Sequence, residues 1–230
     1  AGAGSGKTRV IISRIAHMIC GRGISANTIL AVTFTNKAAE EMRSRVNALL
    51  VQADTLARSW PTVSTFHSFC VRLLRTEGES LVDPRPGFTT HFTIYDDNDQ
   101  VAVIKSVYRD LGLDEKFMKP RTVLASISHA KNQNRGPQDF YRDATHLQAE
   151  KMAVIFERYQ QVLVGSNAFD FDDLLLESVR LLRHNKEVRA RINERYQYVM
   201  VDEYQDTNRP QYDLMRLLTD QHRNICVVGD

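Results

Sequence analysis

The sequence predicts an α/β fold, a parallel sheet flanked by helices, interrupted by an inserted and mainly helical subdomain. Three observations carry that reading. Four short runs rich in apolar, β-branched or aromatic residues, Ile29–Phe34, Thr62–Phe66, Tyr198–Val201 and Ile225–Val228, read as buried strands. Helical periodicity precedes the first run and separates it from the second, and such alternation implies parallel strands. The pattern then changes after Asp83-Pro84-Arg85-Pro86-Gly87, a cluster of turn formers, and the strand signal returns only at Tyr198. A chain of 230 residues holds about one and a half typical domains. We therefore expect residues 1–83 and 191–230 to form one discontinuous domain and 84–190 to be the insertion.

Taken in order, Gly6 to Ile19 predicts a helix whose buried stripe is Val10, Ile11, Ile15, Met18 and Ile19. Asn36 to Val51 predicts a second, with Ala39, Met42, Val46, Leu49 and Leu50 on one face and Glu and Arg on the other. In the insertion, helical spacing recurs at Val101, Ile104, Val107 and Tyr108, over Val123–Ile127, over Met152–Val164 and over Leu174–Leu182. Lys131 to Asp139 is polar and contains Gly-Pro, which predicts a loop. No internal repeat interrupts this order.

Composition narrows the class. Hydrophobic residues make up 43% and charged residues 25%, spread through alternating stretches, which excludes disorder as the main state. No apolar run approaches the roughly 20 residues of a membrane span, and no signal-peptide pattern is present, so a cytoplasmic protein is expected. Cys20, Cys70 and Cys226 are widely spaced in apolar contexts, which argues for reduced structural thiols. Charge divides unevenly: ten basic against six acidic residues in 1–83, fifteen against fifteen in 84–190, and five against seven in 191–230. Arg supplies 22 of the 30 basic residues, and its planar fork suits phosphate.

The first eight residues, AGAGSGKT, fit a phosphate-binding loop, with Ala1 standing where the common pattern has its first glycine. Ala1, Gly2, Ala3, Gly4, Ser5 and Gly6 form the turn whose backbone N–H groups can face an anion. Lys7 can reach the β and γ phosphates, and Thr8 can ligate Mg²⁺. The partner of such a loop is a carboxylate at a buried strand end, and YVMVDEYQDTN supplies Asp202 for the metal and Glu203 to polarise an attacking water. The pair favours hydrolysis of a nucleoside triphosphate over transfer to a substrate. The plain alternative is an acidic turn, with Asp206 or Asn208 capping the next helix.

Read together, these segments resemble the superfamily-one DNA helicases of the UvrD, PcrA and Rep type. AGAGSGKT is similar to helicase motif I, AVTFTNKAAEEM (Ala31–Met42) to motif Ia, TFHSFC (Thr65–Cys70) to motif Ib, FDFDDLL (Phe169–Leu175) to the segment closing the inserted subdomain, and VDEYQDTN (Val201–Asn208) to motif II. VVGD (Val227–Asp230) resembles the start of motif III, and TFHSFCVRLLR is most similar to the PcrA and UvrD group. The resemblance implies a RecA-like P-loop NTPase domain, ATP and Mg²⁺ as cofactors, and ATP-driven movement, 3′ to 5′, on single-stranded DNA and at single-strand to double-strand junctions.

It also implies roles residue by residue. Thr33, Phe34, Thr35, Asn36 and Lys37 would lie along single-stranded DNA, as would Thr65, His67 and Ser68; the plainer readings are a core aromatic for Phe34 and a helix cap for Asn36. Arg9 would lie against adenine or be a surface residue, and Gln205 would link the ATP and DNA sites. The family pattern continues on both sides of this segment, including a second motor domain, so the 230 residues alone are expected to be inactive. A helicase-nuclease subunit of the AddA or RecB kind and a non-catalytic regulator that retains the nucleotide fold are the alternatives. Asp170, Asp172 and Asp173, and likewise Tyr95 to Asp99, are expected to cap helices rather than bind metal.

Overall fold

The structure is a computed structural model that describes residues 6–53, 59–81, 85–114 and 118–230. Ala1, Gly2, Ala3, Gly4 and Ser5 lie outside the described residues. Along the chain run α1 (Lys7–Ala16), β1 (Ile29–Thr33), α2 (Asn36–Gln52), β2 (Thr62–Thr65), α3 (Phe66–Glu77), β3 (Thr93–Ile94), α4 (Asp97–Asp110) and α5 (Pro120–Lys131). There follow α6 (Pro137–Asp143), α7 (Leu147–Gly165), β4 (Ala168–Phe169), α8 (Phe171–His184), α9 (Lys186–Arg195), β5 (Tyr198–Val201), α10 (Arg209–Thr219) and β6 (Ile225–Val227). The chain divides into two compact units, 1–70 with 182–207 and 211–230, and 71–181 with 208–210.

In the first unit the four predicted strands form one parallel sheet in the order β2-β1-β5-β6. Every residue of β1 is buried, as a strand flanked on both sides and covered on both faces requires. Its core joins Ile11 and Ile15 of α1, Ala39, Met42, Val46 and Leu50 of α2, Ile29 and Ala31 of β1, Val63 of β2 and Met200 of β5. The α2 stripe follows the predicted spacing, and Thr35 starts the helix by accepting a hydrogen bond from the Ala38 N–H. Asn36 is thus the first helical residue and not the cap.

Two details differ at α1. Val10 is 56% exposed, and Ile12 takes its place in the buried stripe. The helix then widens into a single π-type turn, His17–Gly21, which keeps Met18 and Ile19 against the core. Cys20 falls on the outside of that turn and is exposed, whereas Cys70 is buried and Cys226 half-buried.

The second unit is mainly helical, with a core of Val103, Ile104, Val107 and Tyr108 from α4, Val123 and Ile127 from α5, and Ile155, Phe156, Tyr159 and Leu163 from α7. Asp96 and Asp99 form a capping box at the start of α4, and Asp170 and Asp173 exchange the same kind of bonds at the start of α8. Two features escaped the sequence reading. Strands β3 and β4 pair in parallel over two residues each, too short for any periodicity to register. The predicted loop from Lys131 to Asp139 is instead the last residue of α5, a turn, and the start of α6, because Pro137 occupies the first helical position, where proline is tolerated.

Lys131 is no loop residue in environment either. It is 1% exposed and its ammonium lies 2.5 Å from Asp170 Oδ2 and 2.7 Å from Asp173 Oδ1. Tyr159 donates to the same Asp170 oxygen, and Gln160 to Asp173. The aspartates therefore cap a helix and neutralise a buried lysine at once. Among the described residues no cluster of three or more His, Cys, Asp and Glu side chains is arranged to hold a metal ion, and no helix is long and apolar enough to cross a membrane.

Candidate functional site

Parallel strands deliver their carboxyl ends to one edge of the sheet, which is where open α/β folds bind ligands. In the first unit the four strand ends divide that edge into two halves. β5 and β6 bring Asp202, Glu203, Gln205 and Asp230 to one half, next to the start of α1. β1 and β2 bring Thr33 to Lys37 and Thr65 to Ser68 to the other.

Asp202 is where the first half is anchored. Its N–H continues the ladder by donating to the Val32 carbonyl at 3.2 Å, which keeps the residue only 5% exposed. Its carboxylate is fully engaged: Oδ2 accepts from the Thr8 hydroxyl at 2.6 Å and Oδ1 from the Glu203 N–H at 3.0 Å. Thr8 stands in the first turn of α1, whose N-cap, Gly6, has φ 83°. Among the described residues nothing lies within 4 Å of the position a Cβ would take there, and it is the left-handed backbone that favours glycine. The first N–H groups of α1 have no partner within the helix and carry its positive dipole end, a setting that favours an anion.

Lys7 follows Gly6, and its ammonium lies 2.5 Å from Asp230 Oδ1. That hydrogen bond holds the Asp230 carboxyl below its ordinary range. Glu203 adopts the left-handed conformation, φ 53° and ψ 42°, which costs a non-glycine residue about 1–2 kcal/mol. Its N–H on Asp202 and its carbonyl, which accepts from the Asp206 N–H at 3.0 Å, offset that strain and leave its carboxylate exposed.

Gln205 bridges the ends of β5 and β6. Its Oε1 accepts from the Asp230 N–H at 3.1 Å, its Nε2 donates to Asp206, and the neighbouring Tyr204 N–H donates to the Val228 carbonyl at 2.9 Å. Gly229 permits this approach, because a Cβ there would sit 2.6 Å from Gln205 Oε1 and 3.1 Å from its backbone N. Gly229 and Asp230 were recognisable in sequence only as the start of a motif; their contacts with Gln205 and Lys7 had no local signal. Arg9 is exposed one position beyond Thr8.

On the other half, the pairing of Thr33 with Thr65 sets the two segments side by side. Thr33 is 1% exposed and donates to the Thr35 carbonyl, and Thr65 is buried and bonds both the N–H and the hydroxyl of Ser68. These two threonines shape the edge from inside. Thr35, Asn36, Lys37 and Ser68 are exposed on it. Phe34 is half-buried, its ring meeting Phe66 edge-on at 5.4 Å between centroids. His67 is half-buried as well, and burial lowers its pKa from the ordinary 6.5, so it presents a neutral ring at physiological pH.

The UvrD/REP helicase N-terminal domain, as a sequence family, matches residues 1–230. The chain is 43% identical over 230 residues to the ATP-dependent DNA helicase PcrA of Staphylococcus aureus and 42% identical over 230 residues to that of Staphylococcus epidermidis. Each similarity covers 100% of this chain and 30% of the relative, so the chain spans under a third of the length of those curated proteins.

Proposed function

The chain belongs to the UvrD/REP helicase N-terminal domain family, and from that premise we propose that it is the ATP-binding motor segment of a DNA helicase. ATP hydrolysis would drive 3′-to-5′ movement on single-stranded DNA and unwinding at junctions. The observation that carries the reading is the contact between Thr8 and Asp202, which joins the phosphate-loop helix to the end of β5.

In this reading the N–H groups at the start of α1 and the Lys7 ammonium bind the phosphates, and Lys7 exchanges Asp230 for the ligand. The residues fit a divalent cation: a hydroxyl and a carboxylate oxygen converge within 2.6 Å, and such hard oxygen donors suit Mg²⁺. Thr8 and Asp202 would hold it, and when bound it would neutralise phosphate charge. Glu203, exposed and fixed in direction by its backbone, orients the attacking water and accepts its proton. Gln205 transmits the state of this half of the edge through its bonds to the β6 end.

DNA would run over the other half. Thr35, Asn36, Lys37 and Ser68 offer donors to phosphate, Phe34 a partly open face for stacking, and His67 a neutral hydrogen-bonding ring. The discontinuous unit that holds the sheet would be the motor domain, and the helical unit its insertion. We place the activity in the cytoplasm, where ATP and DNA are both available to it.

Binding of a fluorescent ATP analogue tests the nucleotide half directly. Affinity should depend on Mg²⁺ and should be lost in Lys7→Ala; binding that is indifferent to both would overturn the assignment.

A further inference from the structure

α10 runs from the carboxyl edge of the sheet back to the amino edge, and the turn after it leads into β6. The Val199 N–H donates to the Asn224 carbonyl, which places this turn beside the start of β5, at the end of the sheet opposite Asp202. A cavity of about 520 Å³ opens there, lined by Arg183, Arg216 and Arg223 together with Asp213 and Asp220.

The charges do not cancel. Asp213 accepts from Arg183 at 2.7 Å, and Asp220 faces Arg189 of α9 at 3.2 Å, so each aspartate has its own arginine. Arg216 and Arg223 remain, with no carboxylate partner among the described residues. Arg216 lies 5.9 Å from the Tyr212 ring, at the outer limit of a cation–π contact, which uses the face of the guanidinium and none of its N–H groups. Arg223 is held in place by its backbone: it has φ 56°, its N–H donates to Thr219 and its carbonyl accepts from Ile225. One cation would answer the dipole at the end of α10, but a cavity with two uncommitted guanidinium groups exceeds that need.

We propose that this cavity is a docking site for an acidic peptide segment of a partner protein, with a carboxylate seated between Arg216 and Arg223. The planar guanidinium fork matches a carboxylate in two-point hydrogen bonding. Nucleic acid fits less well, since a regular line of phosphates would pass Asp213 and Asp220, whereas a peptide of mixed side chains can place its charge selectively. The position at the amino edge lets a partner stay bound while the opposite edge works.

The test uses the 230-residue chain and a short peptide of alternating glutamate and glycine carrying a neutral dye, followed by fluorescence anisotropy. Saturable, salt-sensitive binding is expected, weakened on the order of tenfold by Arg216→Gln with Arg223→Gln. Arg43→Gln with Arg45→Gln, on the exposed face of α2, should leave it unchanged, and circular dichroism should show both double variants folded. Absence of saturable binding, or equal loss in both double variants, overturns the proposal. So does a single-stranded oligonucleotide whose affinity falls equally with Arg216 and Arg223, since that outcome assigns the cavity to nucleic acid.

Discussion

Thr8 and Asp202 stand 194 residues apart in the chain, yet the threonine hydroxyl donates to the aspartate at 2.6 Å. A hydrogen bond to a charged group contributes roughly 1.5–3 kcal/mol, and here the same two oxygens are the ones assigned to the cation. Thr8→Ala should therefore weaken Mg²⁺-dependent ATP binding by about tenfold or more, while Thr8→Ser, which keeps the hydroxyl, should restore most of it. Titration with a fluorescent analogue at fixed Mg²⁺ measures both. Equal affinities for the alanine and serine variants would remove the hydroxyl from the account.

Gly229 tests the link between the ends of β5 and β6. An added methyl group would meet Gln205 Oε1 at 2.6 Å and two backbone nitrogens at 3.1 and 3.3 Å, so the Gln205 side chain must leave its bond to the Asp230 N–H. In the intact protein, Gly229→Ala should lower the stimulation of ATP hydrolysis by single-stranded DNA more than it lowers the unstimulated rate. Gln205→Ala should do the same. A proportional loss of both rates would show that the contact is merely structural.

Most of this edge was legible in the sequence because its residues are adjacent in short motifs at strand ends: the order of apolar run, then Asp202 and Glu203, sets the geometry locally. Exposure within the half proposed for DNA was not. Thr33 and Lys37 belong to one motif, but strand pairing buries the first and the start of α2 exposes the second, which only the three-dimensional neighbours decide. Lys131 was misread for a related reason. Its partners Asp170 and Asp173 lie 39 and 42 residues away, and nothing near Lys131 in sequence signals a buried ion pair.

Breaking that buried network should destabilise the helical unit. Removing one member leaves charges buried without compensation, at a cost of about 3–5 kcal/mol. Lys131→Met should lower the unfolding free energy in urea by that amount, and adding Asp170→Asn and Asp173→Asn should recover part of it. A loss below about 1 kcal/mol, the range of exposed pairs, would contradict the buried network.

Glu177 predicts a pH dependence. Burial raises its pKa above the ordinary 4.5, opposed by Arg180, and one of its oxygens is buried without a hydrogen-bond partner among the described residues. An acid whose folded pKa is raised binds its proton more tightly in the folded state. Its contribution to stability is then fully present below 4.5 and is lost as pH climbs through the raised value. Glu177→Gln should flatten that decline in urea titrations run from acid to neutral pH. An unchanged slope would remove Glu177 as its source.

The central claim is that the carboxyl edge of the sheet binds ATP and hydrolyses it, with Glu203 acting on water and not on the nucleotide's affinity. Glu203→Gln in the intact protein is the most direct measurement, with ATP binding and DNA-stimulated phosphate release followed on the same sample. Retained binding and a fall in phosphate release of roughly a hundredfold or more are expected. Phosphate release at the unsubstituted rate would contradict that claim.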